Sequence, residues 1–66
     1  MNPEEIFLHI LIQHQSDFEE ARELYDDAGE FYGMSALDRL CDTHDLEGDL
    51  EDLAESYIRG EYDPLD

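Results

Sequence analysis

No lysine occurs anywhere in this chain, and twenty acids face only three arginines, Arg22, Arg39 and Arg59, for a formal net charge of −17 at pH 7. Any fold of this sequence must keep its carboxylates in water, because burying an unpaired charge is very costly. It must also survive its own repulsion, since a net charge far from zero works against a compact state. Low hydrophobicity with this charge would mean disorder. Here 41% of the residues are hydrophobic, and they recur at helical spacing, so the reading is a folded helical domain.

At 66 residues there is room for one domain. A chain of this size buries only about 60% of its unfolded surface, so its stability margin is thin. Cys41 is the only cysteine, which excludes an internal disulfide. With no signal-peptide pattern, it points to a reducing, cytoplasmic setting. Apolar runs such as Ile6-Phe7-Leu8 and Ile10-Leu11-Ile12 are far short of the roughly 20 residues a membrane helix needs.

Asn2-Pro3-Glu4-Glu5 announces the first helix, with Asn2 as cap and Pro3 in the first turn. It should run to about residue 14. Ile6, Phe7, Leu8, Ile10, Leu11 and Ile12 cover most of its circumference and leave His9 and Gln13 as a polar stripe. A short helix that is apolar nearly all round must be covered on several sides. It is therefore the central helix of the domain, a homodimer interface through those six residues, or both.

Ser16-Asp17-Phe18-Glu19 reads as a capping box, predicting a second helix over about 17–28 with Phe18, Ala21, Leu24, Tyr25 and Ala28 inward. Gly29 ends it. Residues 30–33 read as a connector or frayed turn, with Phe31, Tyr32 and Met34 folding back onto the core. Ser35 caps a short third helix, about 36–43, with Leu37, Leu40 and Cys41 inward. The last helix, about 46–59, presents Leu46, Leu50, Leu53, Ala54, Tyr57 and Ile58 on one stripe, and Gly60 stops it. The expected architecture is an all-α bundle of three to four short helices over residues 1–60, followed by an acidic tail, 61–66.

The acids are uneven. Seven lie in residues 17–30 and seven in 42–55, against two before and one between, with three in the tail. Within those two segments Arg22 is the only opposite charge. Solvated faces of amphipathic helices normally intersperse lysine or arginine, because like charges at i,i+4 destabilise a helix by a few tenths of a kcal/mol. Glu19–Glu23, Glu23–Asp27 and Glu51–Glu55 are such pairs, and no lysine relieves them. The candidate partner-binding residues are therefore Asp17, Glu19, Glu20, Glu23, Asp26, Asp27 and Glu30 on one side, and Glu47, Asp49, Glu51, Asp52 and Glu55 on the other. Duplex DNA carries one charge per ~1.7 Å of axis, so seventeen charges correspond to ~29 Å, or about eight to nine base pairs. A surface of this kind attracts a phosphate-binding cleft for the reason DNA does. Direct binding to nucleic acid is not expected.

Catalytic patterns are missing. Gly29, Gly33, Gly48 and Gly60 are too scattered for a phosphate loop, and the serines read as caps or helix residues. Cys41 and His44 are three apart and could share a helix face, whereas His9 and His14 are five apart and do not. No set of four ligands at zinc-like spacing emerges, and a calcium loop placing Gly48 sixth would begin at Thr43 and end at Ala54, both unsuitable. No cofactor, metal or enzymatic role is predicted.

Through Ser16-Asp17-Phe18-Glu19-Glu20-Ala21-Arg22-Glu23-Leu24-Tyr25-Asp26-Asp27 and Leu50-Glu51-Asp52-Leu53-Ala54-Glu55, the chain resembles phage-type DNA-mimic inhibitors, the small acidic anti-restriction and anti-CRISPR proteins. The resemblance covers about half the chain and carries no diagnostic motif. It implies a target among host defence nucleases or CRISPR complexes, blocked at the DNA-binding surface in the host cytoplasm. Two other readings compete. One is an acidic interaction module, such as an antitoxin or adaptor, binding through Phe7, Phe31, Tyr32, Tyr57 or Tyr62, with acids for solubility and steering. The other is a salt-adapted protein whose acidity has no specific partner.

Overall fold

The computed structural model describes residues 2–65, and within them the chain forms four helices and no strand: α1 (Pro3–Gln13), α2 (Gln15–Ala28), α3 (Glu30–His44) and α4 (Asp49–Ile58). The all-α bundle expected from the sequence is what forms. None of these helices is long and apolar enough to cross a membrane.

α1 starts as its sequence dictates. The Asn2 side-chain oxygen accepts a hydrogen bond from the Glu5 backbone N–H at 2.9 Å, satisfying one of the free donors of the first turn. Phe7 and Leu11 are fully buried, while Ile6, Leu8 and Ile10 are half-buried. Ile12 is 54% exposed. α1 thus packs against α4 and α2 through Phe7 and Leu11, while Ile6, Leu8, Ile10 and Ile12 keep part of their apolar surface open.

The boundary between α1 and α2 differs from the Ser16 capping box. A single residue, His14 (φ −128°, ψ 36°), breaks the helix and serves as cap to both sides. Its N–H donates to Ile10 O at 3.0 Å, and its carbonyl accepts from Asp17 and Phe18 at 3.1 and 3.3 Å. Breaking there turns Phe18 onto Phe7, edge to face with ring centroids 5.8 Å apart. Tertiary packing therefore overrides the local cap signal. Tyr57 of α4 closes the cluster, 6.3 Å from both rings. Phe7, Phe18 and Leu11 with Ile58 are the largest fully buried side chains, and burying each contributes about 1.5–3 kcal/mol.

The stretch 30–33 is not a connector, and the third helix is not short. α3 runs unbroken from Glu30, and both Gly33 and Ser35 lie inside it. Gly33 is there for close approach: a Cβ at that position would lie 2.5 Å from Tyr25 Cδ2 and 2.8 Å from Tyr25 Cα. α2 and α3 make the most extensive contact in the molecule, and the missing side chain lets their backbones meet. The turn between them is one residue, Gly29, at φ 100°, ψ 178°, a region open essentially to glycine alone.

The continuous α3 also corrects the expectation for its aromatics. Gly33, Ala36, Leu37, Leu40 and Cys41 face inward, and Phe31 lies roughly 150° round the helix from that face at 3.6 residues per turn. Met34 packs on the core, but Phe31 and Tyr32 are 78% and 56% exposed.

α3 ends at Asp45 in the left-handed conformation (φ 57°, ψ 45°), and the next residue, Leu46, donates to Cys41 O at 2.8 Å and is buried. α4 begins only at Asp49, later than its hydrophobic stripe suggests, because Gly48 takes a positive φ as its N-cap. After α4, Gly60 (φ 82°) reverses the chain. The N–H groups of Glu61 and Tyr62 donate to Ser56 O at 2.9 and 3.2 Å. Tyr62 then packs on Phe7, ring centroids 6.3 Å apart, so the segment that reads as an acidic tail folds back onto the bundle. Asp66 lies outside the described residues.

Candidate partner-binding surface

Every acid among the described residues is exposed, and no charged or polar residue is buried. That follows from the helical patterning, which turns one stripe inward and leaves all carboxylates in water. Three of them meet an arginine. Arg22 of α2 pairs with Asp63 at 3.2 Å and lies over the Tyr57 ring, 4.8 Å from its centroid. Desolvation works against the Arg22 charge, but the hydrogen bond to Asp63 and the neighbouring Tyr57 outweigh it and raise the guanidinium pKa above its ordinary value. Arg59, just past α4, donates to Glu30 at 2.9 Å and stands 3.9 Å from Glu55. Desolvation opposes its charge too, and Glu30, Tyr25 and Glu55 together raise its pKa. Among the described residues, no other acid has a cation within 4 Å, and Arg39 has no carboxylate partner.

The two expected sets of acids are therefore tied together rather than set apart. Glu30, from the first set, and Glu55, from the second, share Arg59. The remaining carboxylates border several grooves. Asp17 and Glu20 line one between α2 and α3, with Arg39, Thr43 and His44. Glu19 and Glu23 line another with Arg22, Tyr57 and Asp63. Asp49 and Asp52 line a third with Glu4, beside Pro3 and Leu53. Asp26, Asp27, Glu47 and Glu51 are exposed as well. The thiol of the buried Cys41 is pushed up to about 11, by burial first and by the charges of Glu51 and Asp38 second. The body that carries this charge is 35 Å long, 25 Å wide and 18 Å thick.

One apolar feature interrupts the charge. Phe31 and Tyr32 stand next to Glu30 with their rings at right angles, centroids 5.4 Å apart. Of the aromatics the sequence offered as contact residues, Phe7 and Tyr57 are instead core and Tyr62 is half-buried on it. Phe31 and Tyr32 are thus exposed as contact residues should be. What they overturn is the expectation that they fold back onto the core, which rested on reading residues 30–33 as a connector with no helical face.

A polar cluster was not legible at all. The helix break at His14, the first turn of α2 and the last residue of α3 bring His14, Asp17 and His44 together, each with one ligand atom, all within 4.8 Å of one another. The two imidazoles lie 4.0 Å apart, tilted by 31°, and the His44 ring stacks on Phe18 at 6.0 Å. His44 Nε2 is shut from solvent and has no hydrogen-bond partner among the described residues, a state that costs about 1–3 kcal/mol. His14 and Asp17 are three apart in sequence, a spacing that shares a helix face. His44 is too distant in sequence for any local pattern to reveal it. Cys41, the neighbour that sequence spacing offered to His44, is turned into the core instead.

Neither a known protein family, nor a curated protein, nor a solved structure matches this chain.

Proposed function

We propose that the protein acts without catalysis, as an inhibitor that mimics the DNA phosphate backbone and occupies the DNA-binding surface of a host defence complex, a CRISPR effector or restriction enzyme, in the host cytoplasm. The observation that carries this reading is the fully exposed and almost unpaired set of carboxylates on a body 35 Å long, enough to span the ~29 Å of duplex that the net charge corresponds to. A cleft that binds phosphates gains affinity by releasing counterions, and carboxylates held on short, tightly joined helices offer the same gain. The distribution of acids around several grooves suits a partner that encloses the inhibitor.

The exposed Phe31–Tyr32 pair supports a second reading, the acidic interaction module. Buried aromatic anchors dominate many protein interfaces, and here the acids would steer and the two rings would bind. One experiment separates the two. The protein is immobilised, host lysate is passed over it, and bound material is challenged with duplex DNA. In the mimic reading DNA displaces the prey, binding falls steeply with salt, and the reversal Glu19→Lys/Glu23→Lys/Asp26→Lys weakens it at unchanged helicity. Prey indifferent to DNA and to these reversals, but lost in Phe31→Ala/Tyr32→Ala, would reject mimicry in favour of the module.

A further inference from the structure

Three helix ends converge on one small polar cluster, and their backbones are all fixed. His14 is held by hydrogen bonds to residues on both sides of the break. Asp17 sits in the first turn of α2, and His44 is the last residue of α3, secured by the left-handed Asp45 and the buried Leu46 behind it. Two imidazoles and a carboxylate are the donor set of many transition-metal sites.

We propose that His14, Asp17 and His44 form a divalent transition-metal site, with Zn2+ as its natural occupant and one coordination position left open. Tetrahedral Zn2+ with metal–nitrogen bonds of about 2.0–2.1 Å holds its ligand atoms roughly 3.3 Å apart. The three ligand atoms lie within 4.8 Å of one another, so the approach needed is no more than ~1.5 Å. The two rings, tilted by only 31°, must also swing out of mutual contact by χ rotation so that their in-plane lone pairs converge on the metal. A second observation is independent of the spacing: His44 carries an imidazole nitrogen that is shut from water and bonded to nothing among the described residues. Two imidazoles also favour zinc, nickel or copper over magnesium or calcium, which prefer an all-oxygen shell. Exposed carboxylates elsewhere on the molecule attract any cation weakly, but among the described residues only this cluster joins carboxylate and nitrogen donors, and it ties the α1–α2 break to the far end of α3.

The test is a titration of metal-free protein with Zn2+ alone, by calorimetry, in about 10 mM Mg2+ so that diffuse attraction to the acidic surface is screened. One equivalent should bind. His14→Ala and His44→Ala should each weaken it at least roughly tenfold, as expected for loss of one of three protein ligands. Asp17→Asn removes an exposed carboxylate oxygen and leaves the fold standing, so it should weaken binding even if a histidine variant is too unstable to score. His9→Ala and Cys41→Ala should bind as the parent does. Co2+ substitution should give the intense visible bands of a nitrogen-containing four-coordinate site. Zn2+ binding that vanishes in Mg2+, or that survives His14→Ala, His44→Ala and Asp17→Asn alike, or that is lost in Cys41→Ala, would overturn the assignment.

Discussion

The α2–α3 hairpin has two ends that are held together by opposite means. At the closed end a single glycine makes the turn, Gly33 lets Tyr25 come within backbone distance, and Arg59 spans Glu30 and Glu55. At the open end the helices are bridged by two imidazoles 4.0 Å apart beside Asp17, and the exit of α3 is a non-glycine residue in a glycine-like conformation. One end is fixed by shape, where nothing but hydrogen fits. The other is fixed by side chains, the His14 and His44 rings lying against each other beside Asp17.

Perturbations at the two ends should differ in kind. The largest effect belongs to Cys41, one turn from the open end. Its thiol is held near 11, against 9 for an ordinary thiol, so at pH 8 its thiolate fraction is about a hundredfold below that of the unfolded chain. Alkylation of native protein should be slower than in denaturant by at least that factor, and rapid native labelling would mean that the α3 end opens freely. The same shift sets a pH dependence. The folded pKa is raised, so the contribution to stability is complete below pH 9 and is lost as pH climbs from 9 through 11. Denaturant midpoints measured across that window should fall.

At the closed end, Gly33→Ala gains ~1 kcal/mol of helix propensity but drives a methyl into Tyr25, including its backbone. Overpacking of this sort costs about 1–3 kcal/mol, so a net loss of stability is expected, and a rise in Tm would contradict the close approach. Gly29→Ala meets no neighbour within 4 Å, so its cost is purely conformational, about 1–2 kcal/mol. Smallest, and opposite in sign, is Asp45→Gly at the open end. It relieves a left-handed L-residue and should stabilise by up to ~1 kcal/mol, read as an upward shift in Tm.

Much of this was written plainly in the sequence. The Asn2 cap follows from local cap chemistry. The burial of Phe18 and Ala21 on α2, of Ala54, Tyr57 and Ile58 on α4 and the outward acids follow from periodicity, whereas Ala28, expected inward, is exposed and the buried Leu46 lies before α4 rather than on it. The failures share one cause. Reading residues 30–33 as a connector cuts α3 short and hides the exposure of Phe31 and Tyr32, because the role of Gly33 is set by Tyr25 on another helix. Ser16 and Ser35 carry cap chemistry that packing did not use. Among the candidate acids, exposure was legible for every described one, but the tie between Glu30 and Glu55 through Arg59 was not, since salt-bridge partners across a bundle leave no local trace. The same holds for His44 and His14.

The single-residue joints at His14 and Gly29 have a kinetic side. They leave Asp45–Gly48 as the one stretch of several residues between helices, and most contacts join residues near one another in the chain. Short loop closures of this kind place folding in the microsecond-to-millisecond range. With no disulfide to form, a freshly synthesised copy reaches its working shape almost as soon as its last helix is free to dock.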